Sequence, residues 1–421
     1  MLTDSVETTI DFAPFRRQFP ALQQEVNGRL PAFLDNPAGT QVPQDPIDRM
    51  REYFIHANAN VDGAFRTSRA STALFAETHA AMADMLGAAS PSEIIIGQNM
   101  TTLTFAVSRA MARSFVPGDE IVVTTLDHEG NVAPWRALEE RGVVIRVADI
   151  DTDDCTVDMA DLASKITDRT RVVAVTHCSN LVGSIVDVAE VCRLARNAGA
   201  LSYIDAVQYA AHGNIDVQAM DCDFLVCSSY KFFGPHLGIL YGKRARLDAL
   251  EPYRVRTADS VPPGRFETGT LNFEGCAALL GTFDYFERVG RAAGPGQSGR
   301  RELVRQALSA FRRQEHALGR QLVEGLKRIP GVHIWGITDP DRLDQRVPTV
   351  SFTKDGMHPD AIAESLGNDE IHVWSGNNYA LSLTERLGLE ATGGMVRVGP
   401  VHYNTSEEID RLLEHVDGLR R

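Results

Sequence analysis

Between residues 93 and 241 the chain alternates short apolar runs with longer amphipathic stretches, and few folds satisfy that alternation. The apolar runs are Glu93-Ile96, Glu120-Thr124, Val143-Ala148, Arg171-Thr176, Leu201-Ile204, Phe224-Cys227 and Gly238-Tyr241. Each is strand-length, and most are rich in Val and Ile. Helical stretches lie between them, at Leu103-Ser114, Asn131-Arg141, Met159-Ile166 and Val188-Ala198. Strands joined through helices make parallel pairs, so the pattern predicts an α/β domain built on a mainly parallel sheet. In such sheets ligands gather at the carboxyl ends of the strands.

After about residue 280 the texture changes. A charged, helix-prone stretch covers Arg301 to Arg328, followed by short strands near Val332-Trp335, Thr349-Thr353 and Met395-Gly399 and a terminal helix from Ser406. This reads as a large domain over residues 26–285 and a smaller α+β domain from residues 1–25 and 286–421. Gly294 to Gly299 fits G-x-G-x-x-G by letter, but it follows a helix rather than a strand. That context does not suit pyrophosphate binding.

Composition narrows the function classes. The 421 residues carry a formal charge of −14, and no long basic run offsets it, which argues against nucleic acid as a partner. No window approaches the roughly 18 consecutive apolar residues of a membrane span. The first twenty residues lack an apolar core and do not read as a secretory signal. Six cysteines without metal-site or redox-motif spacing fit buried thiols in a reducing cytoplasm.

The chemistry concentrates in two segments. Tyr203-Ile204-Asp205-Ala206-Val207-Gln208 is an apolar strand ending in an acid. Phe224-Leu225-Val226-Cys227-Ser228-Ser229-Tyr230-Lys231 is a second strand ending in hydroxyl residues and a lysine. Pyridoxal chemistry needs both roles: an amine to hold the cofactor as a Schiff base, and an acid to keep the pyridinium nitrogen protonated. Lys231 beside Phe232-Phe233 is expected to be partly desolvated, and so a better nucleophile.

With Asp-x-x-Gln, Ser-x-x-Lys-x-x-Gly-Pro and Gly-x-Leu-Tyr, the chain resembles the class V aminotransferase family, in its cysteine desulfurase and selenocysteine lyase branch. Further matches follow in order along nearly the whole chain: Leu34-Asp35-Asn36-Pro37-Ala38-Gly39, Met100-Thr101-Thr102, Asp127 to Trp135, Thr176 to Asn180, Phe266 to Thr270, and Tyr403-Asn404-Thr405. The resemblance implies the pyridoxal 5'-phosphate (PLP) transferase fold of type I, with a large mainly parallel-sheet domain and a small C-terminal domain. It also implies PLP as cofactor, a small amino acid as substrate and a homodimer. Lys231 becomes the cofactor lysine and acid–base, and His128 the ring-stacking histidine that also helps to move protons. Thr101, Thr102, Ser228 and Tyr230 become phosphate contacts, with Tyr230 standing where the family has histidine. Asn180 and Gln208 address the ring hydroxyl or the lysine linkage, and Asp205 the ring nitrogen. Thr270 reaches the partner's cofactor. Asn36 and Arg397 bind substrate, Arg397 through its α-carboxylate. His128-Glu129 is not the start of a zinc motif, because the fifth position is Val132.

One segment departs from the branch. Desulfurases carry a mobile cysteine in a stretch reading roughly Arg-x-Gly-x-x-Cys-Ala, and here it is Trp374-Ser375-Gly376-Asn377-Asn378-Tyr379-Ala380. A phenol cannot accept sulfur, so persulfide chemistry is not expected. A C–S or C–Se lyase acting on a cysteine-derived amino acid fits best, with Trp374 and Tyr379 shaping the substrate pocket. An epimerase or aminotransferase on the same scaffold is the nearest alternative, and a non-catalytic protein of this fold the more distant one.

Overall fold

The computed structural model describes residues 10–294 and 299–420. Most of the glycine-rich Gly294 to Gly299 motif therefore lies outside the described residues. Seven strands form the central sheet in the order Ile94–Gly97, Gly238–Gly242, Phe224–Ser228, Leu201–Asp205, Thr170–Thr176, Glu120–Thr124, Val144–Ala148. Gly238–Gly242 runs antiparallel to both of its neighbours, and the other pairings are parallel.

The sheet is covered on both faces, which is why its strands read as continuous apolar runs. Side chains alternate between the two covers. Ile94, Ile96, Val122, Leu225 and Cys227 enter one core, while Ile95, Ile121, Val123, Phe224 and Val226 enter the other. Each fully buried Ile or Val contributes about 1.5–3 kcal/mol relative to exposure.

Two of the expected helices differ. Asn131-Arg141 is not one helix but a 3-10 turn at Glu129–Asn131, a single helical turn at Ala133–Arg136 and a second 3-10 stretch at Ala137–Arg141. Pro134 lacks the N–H that a longer helix would need, and Gly142 in the left-handed conformation ends the segment. The helix expected from Leu103 starts earlier and runs Met100–Met111, because the Asn99 side chain caps it by accepting from Thr102 N at 2.9 Å.

The smaller sheet is antiparallel, in the order Val332–Trp335, Val350–Lys354, Met395–Val398, Trp374–Gly376. Ala32–Phe33 pairs in parallel with Ile371–His372. Helix Arg300–Leu326 packs along its length against the cores of both sheets. Val304, Ala307, Leu308 and Phe311 pack into the core beside the large sheet, and Leu318, Leu322, Val323 and Leu326 into the core of the small one. Phe12, Phe15 and Phe19 share the first of these cores with Phe311. Among the described residues no helix is long and apolar enough to cross a membrane, and no cluster of side chains could hold a metal ion.

Candidate active site

Strand Phe224–Ser228 is buried along its whole length, and a 3-10 turn at Ser229–Lys231 carries the lysine off its carboxyl end. Lys231 Nζ donates to the Pro37 carbonyl and sits 5.3 Å from the Tyr230 ring centroid. Burial, reinforced by the Arg397 charge and opposed by Asp205, brings the Lys231 ammonium down to about 7. Asp205 ends the adjacent parallel strand and pairs in register with Val226. Burial raises its carboxyl to about 6, against the Val207 N–H bond and the Lys231 charge. Each group thus titrates near neutrality.

The N-terminus of helix Met100–Met111 meets the same strand ends. Met100 N donates to Ser228 Oγ at 3.2 Å, so Ser228 fastens the helix to the lysine strand. The approach is close enough to require glycine at position 238, where a Cβ would lie 2.3 Å from the Asn99 carbonyl carbon. His128 follows strand Glu120–Thr124, and its Nδ1 accepts from Gly130 N at 2.8 Å. Burial and the charges of Lys231 and Arg397 lower its pKa to about 4, so the ring is neutral at physiological pH with its proton on Nε2.

Segments of the smaller sheet and its loops close the opposite wall, together with Asn180. Arg397, in strand Met395–Val398, is 4% exposed; its Nη1 donates to Asn180 O at 2.9 Å and its Nε is buried without a partner. No carboxylate of the described residues forms an ion pair with it, and burial lowers its pKa to about 10. Asn180 Nδ2 donates to Asn378 O at 2.8 Å, which leaves Asn180 Oδ1 buried and unpartnered. Asn378 and Tyr379 both adopt left-handed backbone, φ 49° and 61°. That turn is held by the Asn180 bond and by Glu129 N donating to Tyr379 O at 2.8 Å. The Tyr379 ring stacks on His128, centroids 5.4 Å apart.

Together these groups enclose a cavity of about 650 Å³. Of the residues singled out from sequence, Thr101, His128, Asn180, Tyr230, Lys231, Trp374, Tyr379 and Arg397 line it. Thr102 and Thr270 line an adjoining groove of about 580 Å³ instead. Ser228 and Asp205 are buried behind the wall. Asn36 Nδ2 is occupied by bonds to Phe33 O, Gly399 O and Asn404 Oδ1, and its oxygen accepts from Tyr403, so it sets the loop that presents Pro37 and Ala38. Gln208 Nε2 donates to Thr349 Oγ1 at 3.1 Å and to His212 Nε2 at 3.2 Å, leaving its oxygen buried and unpartnered. Sequence reasoning missed Asp360, Asn377, Asn378 and Glu390, which also line the cavity. Only the two asparagines had a signal, by lying between Trp374 and Tyr379.

The family model for class V aminotransferases matches residues 32–412. This chain belongs to the class V aminotransferase family. Among its curated relatives, a cysteine desulfurase from Synechococcus elongatus is 34% identical over 420 residues, covering 96% of this chain and 62% of that longer protein. A cysteine desulfurase from Pectobacterium carotovorum is 32% identical, covering 96% of this chain and 97% of the relative. Among solved structures, the apo cysteine desulfurase of Thermococcus onnurineus NA1 aligns with TM-score 0.82 at 30% identity, over 92% of this chain and 94% of that one.

Class V aminotransferases are PLP-dependent, and this enzyme is one of them. Its own cavity fits the cofactor. Lys231 offers an amine that titrates near neutrality beside a helix N-terminus at Thr101, and the orphaned Asn180 Oδ1 and Arg397 Nε demand polar partners that the protein does not supply.

Proposed function

We propose that this enzyme is a C–S or C–Se lyase that cleaves a substituted or oxidised cysteine without a persulfide cysteine. The observation that carries the reading is the absence of a thiol in the cavity. No cysteine lines it and all six are buried, while Tyr379, which the resemblance sets at the desulfurase cysteine position, is part of its wall. Burial raises the thiols of Cys155 and Cys276 to about 12 and of Cys192 to about 11, and holds the other three above their ordinary value. None offers a thiolate to attack substrate sulfur.

Bound PLP supplies an electron sink for the pair left at the α-carbon when a proton departs. Lys231 would hold it, with Asp205 at the ring nitrogen, His128 against the ring, and Asn180 and Gln208 at its oxygen and the lysine linkage. Thr101, Thr102, Ser228 and Tyr230 would serve the phosphate. Thr270 is exposed and outside the Lys231 cavity, which supports a homodimer in which it reaches the partner's phosphate. Six free buried thiols suit the cytoplasm.

Arg397 binds the substrate α-carboxylate through its unpartnered edge and so fixes the α-carbon near Lys231. Lys231 Nζ, its ammonium brought down to about 7 by burial, takes the α-proton. The Cβ–S bond then breaks, and its electron pair leaves with sulfur as thiolate, or as sulfenate from a sulfoxide. The remaining 2-aminoacrylate takes up water to give pyruvate and ammonia. Trp374 and Tyr379 wall the space for the sulfur substituent.

A screen of cysteine, selenocysteine, S-substituted cysteines and their sulfoxides, following pyruvate and sulfide together, tests this. Pyruvate release that is lost in Lys231→Ala and kept in Tyr379→Phe is expected. No pyruvate from any of these, or turnover that requires an added keto acid, would overturn the lyase reading.

A further inference from the structure

We propose that the Lys231 cavity selects amino acids whose sulfur substituent ends in a positive charge, an ammonium or a quaternary ammonium group. The proposal rests on the lyase reading for the reaction, but its own evidence is the charge layout of the cavity. The buried end holds Lys231 and Arg397, and the exposed end holds Asp360, Glu390, Trp374 and Tyr379. No lysine or arginine lines that outer end.

The two outer carboxylates are held by neutral donors. Asp360 Oδ1 accepts from Ser375 Oγ at 2.6 Å, and Glu390 accepts from Asn377 Nδ2 at 3.0 Å and Thr384 Oγ1 at 2.6 Å. His358, 3.6 Å from Asp360, is the only basic group paired with either among the described residues. Their negative charge is therefore fixed in position without being neutralised. Beside them stand two large aromatic side chains that a free surface would not favour, Trp374 at 52% and Tyr379 at 71% exposure. Aromatic faces combined with unneutralised carboxylates are the chemistry that recognises organic cations.

A second, independent observation marks the cavity as a ligand site. Asn180 Oδ1 and Arg397 Nε, both on residues more than nine-tenths buried, have no partner in the protein. A substrate with its α-carboxylate at Arg397 extends its side chain away from the buried wall. Its distal group then meets carboxylates and aromatic faces. A distal anion would meet repulsion there, and a neutral alkyl group would leave the carboxylates unused.

The test uses the holoenzyme and the absorbance shift of its cofactor band, titrated with four L-cysteines of similar reach. These carry S-(2-aminoethyl), S-(2-trimethylammonioethyl), S-(3,3-dimethylbutyl) and S-(2-carboxyethyl) groups. The trimethylammonioethyl compound is expected to bind roughly tenfold tighter than its neutral dimethylbutyl isostere, ~1.4 kcal/mol, and the carboxyethyl compound more weakly than either. In the double variant Asp360→Asn, Glu390→Gln the cation-to-isostere ratio is expected to fall toward one, and in Trp374→Ala the trimethylammonium advantage is expected to shrink. Raising ionic strength should narrow the wild-type ratio. A neutral isostere that binds as tightly as the cation, or a ratio that survives the double substitution, overturns the proposal. Pyruvate read from the same mixtures keeps the two readings apart: cation preference without pyruvate sinks the lyase alone, and pyruvate without cation preference sinks this inference alone.

Discussion

Lys231 offers the sharpest quantitative test, because the apoprotein exposes its titration directly. A lysine in water has pKa about 10.4, so only about one amine in 2,500 is neutral at pH 7. With the ammonium brought down to about 7, half are neutral, a gain in nucleophile of roughly a thousandfold. The assay is reductive alkylation of cofactor-free protein by a small neutral aldehyde and cyanoborohydride, quenched over pH 5 to 10 and read by peptide mass spectrometry. The chain has five lysines, at 165, 231, 243, 327 and 354, so each modified peptide is assignable. Neutral amine increases with pH, so labelling of Lys231 should rise through a midpoint near pH 7, with the other four rising far later. Arg397→Met removes a cation that disfavours the ammonium and should move the Lys231 midpoint upward, while Asp205→Asn removes an anion that favours it and should move the midpoint downward. A Lys231 midpoint above pH 9, or shifts of opposite sign in the two variants, would refute the account of burial and charge given above.

Further outcomes follow from the same geometry. Arg397→Ala should raise KM for an amino-acid substrate with a loss of about 30- to 100-fold in kcat/KM, the worth of a charge-assisted carboxylate pair, measured by steady-state kinetics. Native protein treated with iodoacetamide at pH 8 should keep its activity and show little alkylation, because all six thiols are buried and their pKa values raised; rapid labelling of any one would contradict the burial. Gly238→Ala places a Cβ 2.3 Å from the Asn99 backbone, so the helix N-terminus must shift and cofactor should be lost more readily on dialysis, with slower recovery of its visible band.

The sheet was legible because both of its faces are covered, so that runs such as Ile94–Gly97 and Phe224–Ser228 carry no polar interruption. Lys231 in the cavity and Asp205 behind its wall were legible too, since both sit where strands end and ordinary packing does not call for charge. Thr101 and Thr102 show the limit. Adjacent residues on a helix point about 100° apart, so one lines the Lys231 cavity and the other the neighbouring groove. The helix over Asn131-Arg141 was misread because its apolar spacing is helical while Pro134 breaks the backbone bonding. The outer half of the cavity was hidden for a different reason. Asp360 begins a helix, Glu390 lies in a 3-10 turn, and nothing in their local sequence says that both face Tyr379.

The left-handed pair Asn378–Tyr379 has a consequence for how reactions change within this scaffold. Two carbonyls of the turn are captured by Asn180 and by Glu129, so the segment is riveted at two points rather than hung as an arm. Exchanging one side chain there changes what is displayed but leaves its mount stationary. A change of function at this wall therefore has to come from what position 379 displays, unless the anchorage by Asn180 and Glu129 is also lost.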